Sequence, residues 1–329
     1  MAILSERKRQ KYKNMKRMIL AGGSGFLGQA LARHFRRPGW ELVCLSRQPA
    51  GGASLPGFRE LFWDGLTLGG WVSELNGATA LINLAGRSVD CRYHARNRRE
   101  IMDSRVNPTR LLGQAIRQCS APPPVWLNAS TATIYRHSLD RPMDESGDIG
   151  ATPAARDEFS VSVAQAWEQA FFELPNPFTR RVALRTAMVL GSARNSVLPV
   201  LLRLARWGLG GTMGSGKQYV SWIHERDFCR AIEWIISHEK LVGPVNLAAP
   251  QPLPNREMMR ELRAAVGAPF GLPATDWMLE IGAFFLRTET ELILKSRRVV
   301  PGRLLADGFA FDFSTFAEAV ADLNRGRIS

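Results

Sequence analysis

Residues 18–28, with the sequence Met-Ile-Leu-Ala-Gly-Gly-Ser-Gly-Phe-Leu-Gly, form the stretch that decides the fold. The apolar residues at its start predict a buried strand. The glycines at positions 22, 25 and 28 predict a tight turn that lets the backbone approach a ligand and lets a helix pack closely on the strand. Because a helix N-terminus offers free N–H groups and a partial positive charge, this turn is typical of a phosphate-binding site.

Strands and helices alternate along most of the chain that follows this turn. The predicted strands cover residues 18–21, 41–45, 80–84, 125–129, 181–190, 219–223 and 245–249. The predicted helices cover residues 29–35, 96–118, 160–173, 197–207 and 227–238. This alternation is typical of a parallel sheet with helices on both faces. The sequence therefore predicts an α/β protein with a Rossmann-like, doubly wound parallel sheet and a smaller, mostly helical C-terminal lobe.

The end of the second predicted strand, Leu45-Ser46-Arg47, indicates which dinucleotide the turn binds. Sites for NAD usually place Asp or Glu here, and such a carboxylate would repel a 2′-phosphate. Ser46 can donate a hydrogen bond, and Arg47 can pair with a phosphate through contacts that contribute about 1.5–3 kcal/mol each. The predicted cofactor is therefore NADP(H). The alternative is that Arg47 is a solvated surface arginine.

Charge and element pattern divide the chain into three predicted regions. Residues 1–17 form a basic flexible tail with seven Lys and Arg residues against Glu6 alone, which is +6 of the formal net charge of +13. An NADP-binding Rossmann domain covers residues 18–191 plus 218–249. A substrate lobe, or C-terminal domain, covers residues 192–217 plus 250–329. Since the tail holds much of the excess charge, the folded core is not expected to bind nucleic acid.

Cysteine usage and hydropathy argue against several other classes of protein. The four cysteines form no Cys-x-x-Cys pair, so neither a disulfide framework nor a metal site is expected. No apolar run approaches the roughly 18 residues that a membrane helix needs. The basic tail also lacks the apolar segment of a secretory signal. The sequence predicts a cytoplasmic protein without metal or membrane partner, for which a homodimer is a possible assembly.

Short motifs in a specific order extend over nearly the whole chain from residue 18 onward. They include Ala21-Gly-Gly-Ser-Gly-Phe-Leu-Gly28, Asn83-Leu-Ala-Gly86, Asp103-Ser-Arg-Val106, Leu184-Arg-Thr186, Gly208-Leu-Gly-Gly211, Ser221-Trp-Ile-His224, Gly243-Pro-Val-Asn246 and Val299-Val-Pro301. By these motifs the chain resembles the extended short-chain dehydrogenases. Within that group it is similar to the YfcH-type epimerase-like family, which has its own C-terminal domain of unknown function.

The resemblance implies which residues contact NADP(H). They are Gly22, Ser24, Gly25, Phe26, Leu27 and Gly28 in the turn, Ser46 and Arg47 after the second strand, Leu84, Ala85 and Gly86 after a later strand, Glu100 and Arg105 on the long helix, and Leu190 on the nicotinamide side. Glu100 and Arg105 also fit an alternative role as surface charges on an amphipathic helix.

Short-chain dehydrogenases carry a Tyr and a Lys four residues apart on one helix, because an unperturbed Tyr, with a pKa of about 10, is a poor base at neutral pH. This sequence lacks the pair, since the two positions fall near Ser160 and Ala164. The predicted catalytic residues are instead Ser130 or Thr131, as the hydroxyl that bonds a substrate carbonyl, and Tyr135, as the proton donor. The alternative for these positions is structural: a strand-end hydroxyl that caps the backbone and a packed tyrosine.

Five arginines between positions 87 and 99 place a basic surface beside the predicted cofactor site. They are Arg87, Arg92, Arg96, Arg98 and Arg99. Such a run is usually a solvated face, but here it favours a small-molecule substrate that is phosphorylated or carboxylated. The sequence predicts an NADP(H)-binding oxidoreductase or epimerase-like protein that acts on a small nucleotide-sugar or acidic carbonyl substrate. The alternative, favoured by the missing Tyr and Lys, is a non-catalytic NADP(H)-binding redox sensor or scaffold.

Overall fold

The computed structural model describes residues 15–48, 58–173, 177–275, 278 and 291–325. Residues 1–14 of the predicted basic tail lie outside the described residues. The last two residues of that predicted tail, Lys16 and Arg17, belong to the first strand. Within the described ranges, no helix combines the length and the apolar character that crossing a membrane requires.

A large sheet with the strand order of a doubly wound fold forms the centre of the chain. The strands are β1 (Lys16–Ala21), β2 (Trp40–Ser46), β3 (Phe58–Phe62), β4 (Ala80–Asn83), β5 (Val125–Thr131), β6 (Arg180–Thr186), β7 (Met188–Leu190), β8 (Tyr219–Val220), β9 (Trp222–His224), β10 (Gly243–Leu247) and β11 (Leu253–Pro254). Seven of them form one sheet in the order β3-β2-β1-β4-β5-β6-β10. The first six follow the order of the dinucleotide-binding Rossmann fold, which confirms the predicted architecture.

The helices of the described chain include the five predicted ones, each found to within three residues of its predicted bounds. They are α1 (Phe26–Phe35), α2 (Ala95–Arg117), α3 (Glu158–Phe172), α4 (Val197–Arg206), α5 (Glu225–Ser237), α6 (Asn255–Val266), α7 (Glu291–Leu294), α8 (Gly302–Ala306) and α9 (Phe316–Arg325). Among the described residues after β10, most regular structure is helical, as expected for the C-terminal lobe.

The register of the parallel strands brings the predicted cofactor residues to one edge of the sheet. Ala21 on β1 pairs with Leu45 on β2 and with Asn83 on β4. The residues that follow these three strands therefore leave the sheet at the same level. In open α/β sheets, ligands bind at this carboxyl edge.

The strands differ from the sequence prediction in three places: two predicted strands are each divided in two, and one strand was not predicted. The predicted strand 181–190 is two strands, because β7 leaves the large sheet and pairs in parallel with β9. The predicted strand 219–223 is likewise divided, and β8 pairs in antiparallel with β11. Strand β3 was not predicted, because its side chains are half-buried or exposed and form no continuous apolar run.

The chain divides into two compact units. Of the described residues, unit 1 comprises those within Met1–Gly86, Ser104–Ala129 and Ala170–Val182. Unit 2 comprises those within Arg87–Asp103, Ser130–Gln169 and Ala183–Ser329. The core of unit 1 includes the fully buried apolar residues of β1. Unit 2 contains one apolar cluster around Trp222 and a smaller one around Tyr135.

Candidate functional site

The glycine turn of unit 1 is packed so closely that backbone atoms leave no space for a side chain at Gly22 or Gly28. Gly22 has a φ of +77°, and a Cβ there would lie 2.8 Å from the backbone nitrogen of Ala85. A Cβ at Gly28 would overlap the backbone of Gly23. At Gly25, by contrast, φ is −75° and the nearest atom to a Cβ would be the Gly22 oxygen at 3.8 Å. Gly22 and Gly28 shape the turn, whereas Gly25 keeps its outer side open.

Helix α1 begins directly after Gly25 and has no side-chain cap. Its first turn contains no acidic residue. Ser24 is exposed, while Phe26 and Leu27 are half-buried. The N–H groups of this first turn are therefore available to an anion, and the open side of Gly25 gives a pyrophosphate room to approach them.

Cys44 on β2 forms the floor under this turn. Its Sγ occupies the space in which a Cβ at Gly23 would lie. Burial raises the pKa of the Cys44 thiol to about 12, with a further contribution from the charge of Glu60. The sulfur is thus a neutral packing atom.

A buried amide network shapes the second predicted cofactor segment, Leu84-Ala85-Gly86. The Asn83 Oδ1 atom accepts a hydrogen bond from the Ala85 nitrogen at 3.0 Å. The Asn83 Nδ2 atom donates to Asn128 Oδ1 at 2.7 Å and to Thr109 Oγ1 at 3.1 Å. Asn83 was not among the predicted site residues. An Asn that ends a buried strand could have been the signal, because a buried amide needs partners.

The two residues chosen for the 2′-phosphate differ in exposure. Ser46 is 5% exposed, and its Oγ accepts a hydrogen bond from the Gln48 nitrogen at 3.3 Å. Arg47 is exposed. The serine therefore shapes the turn after β2, and the arginine presents its side chain to solvent.

Arg105 on α2 lies against the end of the Asn83–Gly86 segment. A Cβ at Gly86 would be 3.4 Å from the Arg105 Cζ atom. Unit 1 thus brings together the glycine turn, the segment after β4 and Arg105.

Two other predicted cofactor residues belong to unit 2. Glu100 forms an ion pair with Arg87 and accepts a hydrogen bond from Arg96 Nε at 2.8 Å. The hydrogen bond from Arg96 lowers the pKa of Glu100, so the carboxylate is charged and the positive charges of Arg96 and Arg87 balance it. Leu190 is completely buried in the cluster around Trp222, which leaves only its backbone for a cofactor contact.

A continuous polar network connects two of the predicted catalytic residues in unit 2. Ser130 Oγ donates to Glu168 Oε1 at 2.6 Å. Glu168 also accepts two hydrogen bonds from Arg185, from Nε at 2.9 Å and from Nη2 at 2.8 Å. The third arm of Arg185, Nη1, donates to the Tyr135 hydroxyl at 2.9 Å, and that hydroxyl donates to Asn246 Oδ1 at 2.8 Å.

Burial controls the protonation states in this network. It raises the pKa of Tyr135 above its ordinary 10.0, although the Arg185 guanidinium acts in the opposite direction. Burial alone would lower the pKa of Arg185, but the hydrogen bonds and charge of Glu168 raise it above its ordinary value. The arginine stays charged and the tyrosine, only 1% exposed, stays neutral.

Thr131 ends β5 and presents a different hydrogen-bonding pattern. Its Oγ1 accepts a hydrogen bond from the Thr133 nitrogen at 3.1 Å and so caps the short 3-10 turn Ala132–Ile134. This bond uses a lone pair of the oxygen and leaves the hydroxyl proton for another acceptor. Ser130, in contrast, already donates its single proton to Glu168.

Metal ligation has no support in the part of the chain that the structure describes. There, no group of three or more His, Cys, Asp or Glu residues could hold a metal ion.

A strand-turn-helix dinucleotide cradle on a doubly wound sheet defines a nucleotide-binding α/β protein of the dehydrogenase and epimerase type. The chain belongs to the NAD dependent epimerase/dehydratase family, whose model matches residues 18–248. A second model, a domain of unknown function (DUF1731), matches residues 274–323.

Proteins from distant organisms are similar to this chain over most of its length. Epimerase family protein SDR39U1 of Bos taurus is 31% identical over 311 residues, which cover 93% of this chain and 99% of that protein. The crystal structure of human SDR39U1 (isoform 2) with NADPH has a TM-score of 0.81 at 28% identity, covering 94% of this chain and 99% of that chain. The nucleoside-diphosphate sugar epimerase from Corynebacterium glutamicum has a TM-score of 0.72 at 27% identity, covering 93% of this chain and 57% of that chain.

The partners of Ser130 and Tyr135 were not found by sequence reasoning. Glu168, Arg185 and Asn246 lie on α3, β6 and β10 and meet only in the folded chain. A signal existed for Arg185, because a charged residue within the buried strand Arg180–Thr186 requires a buried partner. Nothing local identified Glu168 as that partner.

Proposed function

We propose that the protein binds NADP(H) through the glycine turn, Ser46, Arg47 and the segment 84–86, and that it acts as an oxidoreductase or epimerase on a small carbonyl or hydroxyl substrate. The bound cofactor would donate or accept the hydride. Arg47 carries the proposal, because it is exposed at the end of β2 and residues 45–48 contain no acid that would repel a 2′-phosphate. The human relative solved with NADPH supports the same cofactor.

The variant Arg47→Ala tests the cofactor. We expect the Kd for NADPH to rise about 10- to 100-fold, because the arginine contributes a charge-assisted contact of about 1.5–3 kcal/mol to the 2′-phosphate. The Kd for NADH should stay unchanged, since NADH lacks that phosphate. Fluorescence titration of both nucleotides measures the two constants.

Arg36→Ala is the matched control for this titration. Arg36 is exposed and lies at the opposite end of α1 from the glycine turn. It should leave both constants unchanged, which shows that loss of one positive charge on the surface is not sufficient. Equal loss of NADPH and NADH affinity in Arg47→Ala would contradict the phosphate assignment.

Thr131 is the hydroxyl that we assign to the substrate oxygen. The Thr131 oxygen accepts a hydrogen bond from the Thr133 nitrogen, so its own hydroxyl proton is still available to a substrate. The Ser130 hydroxyl, by contrast, donates its proton to Glu168. Tyr135 is buried, hydrogen-bonded on both sides, and has a raised pKa, which supports its structural role over that of proton donor. The Thr131 hydroxyl would hold the substrate oxygen while the hydride is transferred at the adjacent carbon.

The variant Thr131→Val, which keeps the shape of the side chain, tests this role. We expect turnover to fall about 100-fold, since removing one donor to a developing oxyanion typically costs this much in kcat. NADPH oxidation across a panel of carbonyl compounds and nucleotide sugars measures it. The Kd for NADPH should not change. If the valine variant kept full turnover, another group would hold the substrate oxygen.

The class of substrate is inferred from charge. Arg92, Arg98 and Arg99 belong to the same segment of unit 2, where the Arg98 guanidinium lies 4.9 Å from the Phe159 ring centroid. Cations on this segment favour a substrate with a phosphate or carboxylate. The relative named a nucleoside-diphosphate sugar epimerase is consistent with a nucleotide-linked substrate.

A second candidate function is a non-catalytic NADP(H)-binding sensor or scaffold. The catalytic Tyr and Lys of short-chain dehydrogenases are replaced on α3 by Ser160 and Ala164, and this absence favours a non-catalytic role. Tight NADPH binding without turnover of any compound in the panel would support this function over the enzyme.

The free state of all four cysteines supports a reducing compartment, and we infer the cytoplasm. Assembly as a homodimer stays a prediction.

A further inference from the structure

Four charged residues lie together in unit 2 outside the network of Arg185. Lys295 and Asp157 form an ion pair in which both side chains are almost completely buried. Ser160 donates a hydrogen bond to Glu291, which is also buried, and the positive charge of Arg297 interacts with Glu291 and Asp157. Two negative and two positive groups thus balance one another. Three of the four, Glu291, Lys295 and Arg297, belong to the region matched by the domain of unknown function.

The two cations of this group hold one residue, Thr133. Lys295 Nζ donates to the Thr133 carbonyl oxygen at 2.6 Å. Arg297 Nε donates to Thr133 Oγ1 at 3.1 Å. The Thr133 nitrogen in turn donates to Thr131 Oγ1 at 3.1 Å. A short series of hydrogen bonds therefore leads from the C-terminal region to the hydroxyl that we assign to the substrate.

The residue between the two cations extends this attachment. The Ser296 nitrogen donates to His137 Nδ1 at 3.1 Å, and Ser296 Oγ donates to the Ser138 oxygen at 2.5 Å. The segment 295–297 thus lies along residues 133–138, and each of its three residues makes a polar contact there.

Stability alone is a weak reason for such a group. A buried ion pair is often no more stabilising than apolar side chains of similar volume, because the desolvation of both charges offsets their attraction. Burial accordingly lowers the pKa of Lys295, and Asp157 counteracts that effect. The ion pair and Arg297 instead fix the orientation of Thr133. Its carbonyl oxygen, its Oγ1 atom and its backbone nitrogen are all held by hydrogen bonds at once.

We propose that Lys295 and Arg297 are positioning residues that orient the Thr131 hydroxyl through Thr133, so that the C-terminal domain of unknown function completes the catalytic site. This inference rests on the proposed function of Thr131. Neither cation touches the substrate. Each acts on the turn that carries the hydroxyl.

The test removes one contact at a time in the full-length protein. Thr133→Val removes the acceptor of Arg297 but keeps the backbone groups, and Thr133→Ser restores a hydroxyl. The double variant Lys295→Met/Asp157→Asn removes both charges of the buried pair together, so no unpaired buried charge is left. Thr315→Val is the control for stability, because Thr315 caps α9 through the Glu318 nitrogen and its hydrogen bonds are to residues of that helix.

Hydrogen exchange of peptides that cover residues 130–136, measured by mass spectrometry, is the main readout. We expect exchange there to accelerate about tenfold in Thr133→Val and in the double variant, the effect of losing one hydrogen bond of about 1.4 kcal/mol. The melting temperature should change little in Thr133→Val. Thr133→Ser should recover most of the protection, and Thr315→Val should lower the melting temperature without changing exchange in this peptide.

Turnover separates positioning from folding. In Thr133→Val we expect kcat to fall about tenfold while the Kd for NADPH stays constant, with recovery in Thr133→Ser. The inference is overturned if hydrogen exchange in residues 130–136 is unchanged in these variants. It is also overturned if that exchange rises only as much as the loss of global stability accounts for. If the wild-type protein turns over no compound at all, the proposed enzyme function fails, but the exchange result still decides whether the C-terminal residues hold the turn.

Discussion

Replacing Gly28 with alanine is expected to abolish NADPH binding and to lower the free energy of unfolding by about 3 kcal/mol, the upper end of the usual cost of overpacking. The added Cβ would overlap the backbone of Gly23. Backbone atoms cannot rotate away as a flexible side chain can, so α1 would have to move away from β1. The N–H groups that we assign to the cofactor phosphates would move with it.

Gly25→Ala is the variant that separates folding from binding. Its φ of −75° suits alanine, and the nearest atom to the new Cβ is 3.8 Å away. The unfolded chain loses freedom, so stability should be equal or higher by about 0.5 kcal/mol. NADPH binding should nevertheless weaken, because the methyl group occupies the space through which the pyrophosphate approaches. Urea unfolding and fluorescence titration measure the two properties, and normal NADPH affinity in Gly25→Ala would contradict the assignment of the turn.

Arg185→Met should lower the free energy of unfolding by about 3–5 kcal/mol, the usual cost of leaving one member of a buried ion pair without its partner. The side chains of Arg185 and Glu168 are only 3% and 12% exposed. The variant also removes the donor to the Tyr135 hydroxyl. Urea unfolding measures the change. The double variant Arg185→Met/Glu168→Gln should recover part of the loss, because no buried charge then lacks a partner.

The pair Arg110 and Glu173 provides a matched control for this prediction. It has the same chemistry, with Arg110 Nε 2.7 Å from Glu173 Oε1, but the side chains are 49% and 31% exposed. Arg110→Met should cost less than about 1 kcal/mol, because water screens the pair. Similar losses in both variants would show that burial does not determine the strength of the Arg185 pair.

The parts of the fold that were predicted from the sequence are those with a local signature. The apolar run 18–21 and the glycines after it identified β1, the turn and α1, because strand, turn and helix follow one another directly. Strand β3 has no such signature, since its sequence Phe-Arg-Glu-Leu-Phe neither alternates nor forms an apolar run, and the strand lies at the edge of the sheet. The division between β6 and β7 also escaped prediction, because it depends on pairing with β9.

The same distinction holds for the candidate site. Arg47 and the glycines could be assigned from their positions after strands, because the strand end fixes their place in the fold. The contacts of Thr133 with Lys295 and Arg297 could not, since they join residues far apart in the sequence. A lysine in a polar stretch gives no indication that it will be buried against an aspartate.

Cys44 beneath the glycine turn has a consequence for oxidation chemistry. The sulfur lies against Gly23 and Cys44 is only 1% exposed, so an oxidant in solution has almost no access to the thiol. Only the thiolate reacts readily with oxidants, and a thiol whose pKa is raised to about 12 is almost entirely protonated at neutral pH. The same close packing that brings the turn onto β2 therefore shields the thiol from modification, and any oxidation of Cys44 would require the turn to lift first.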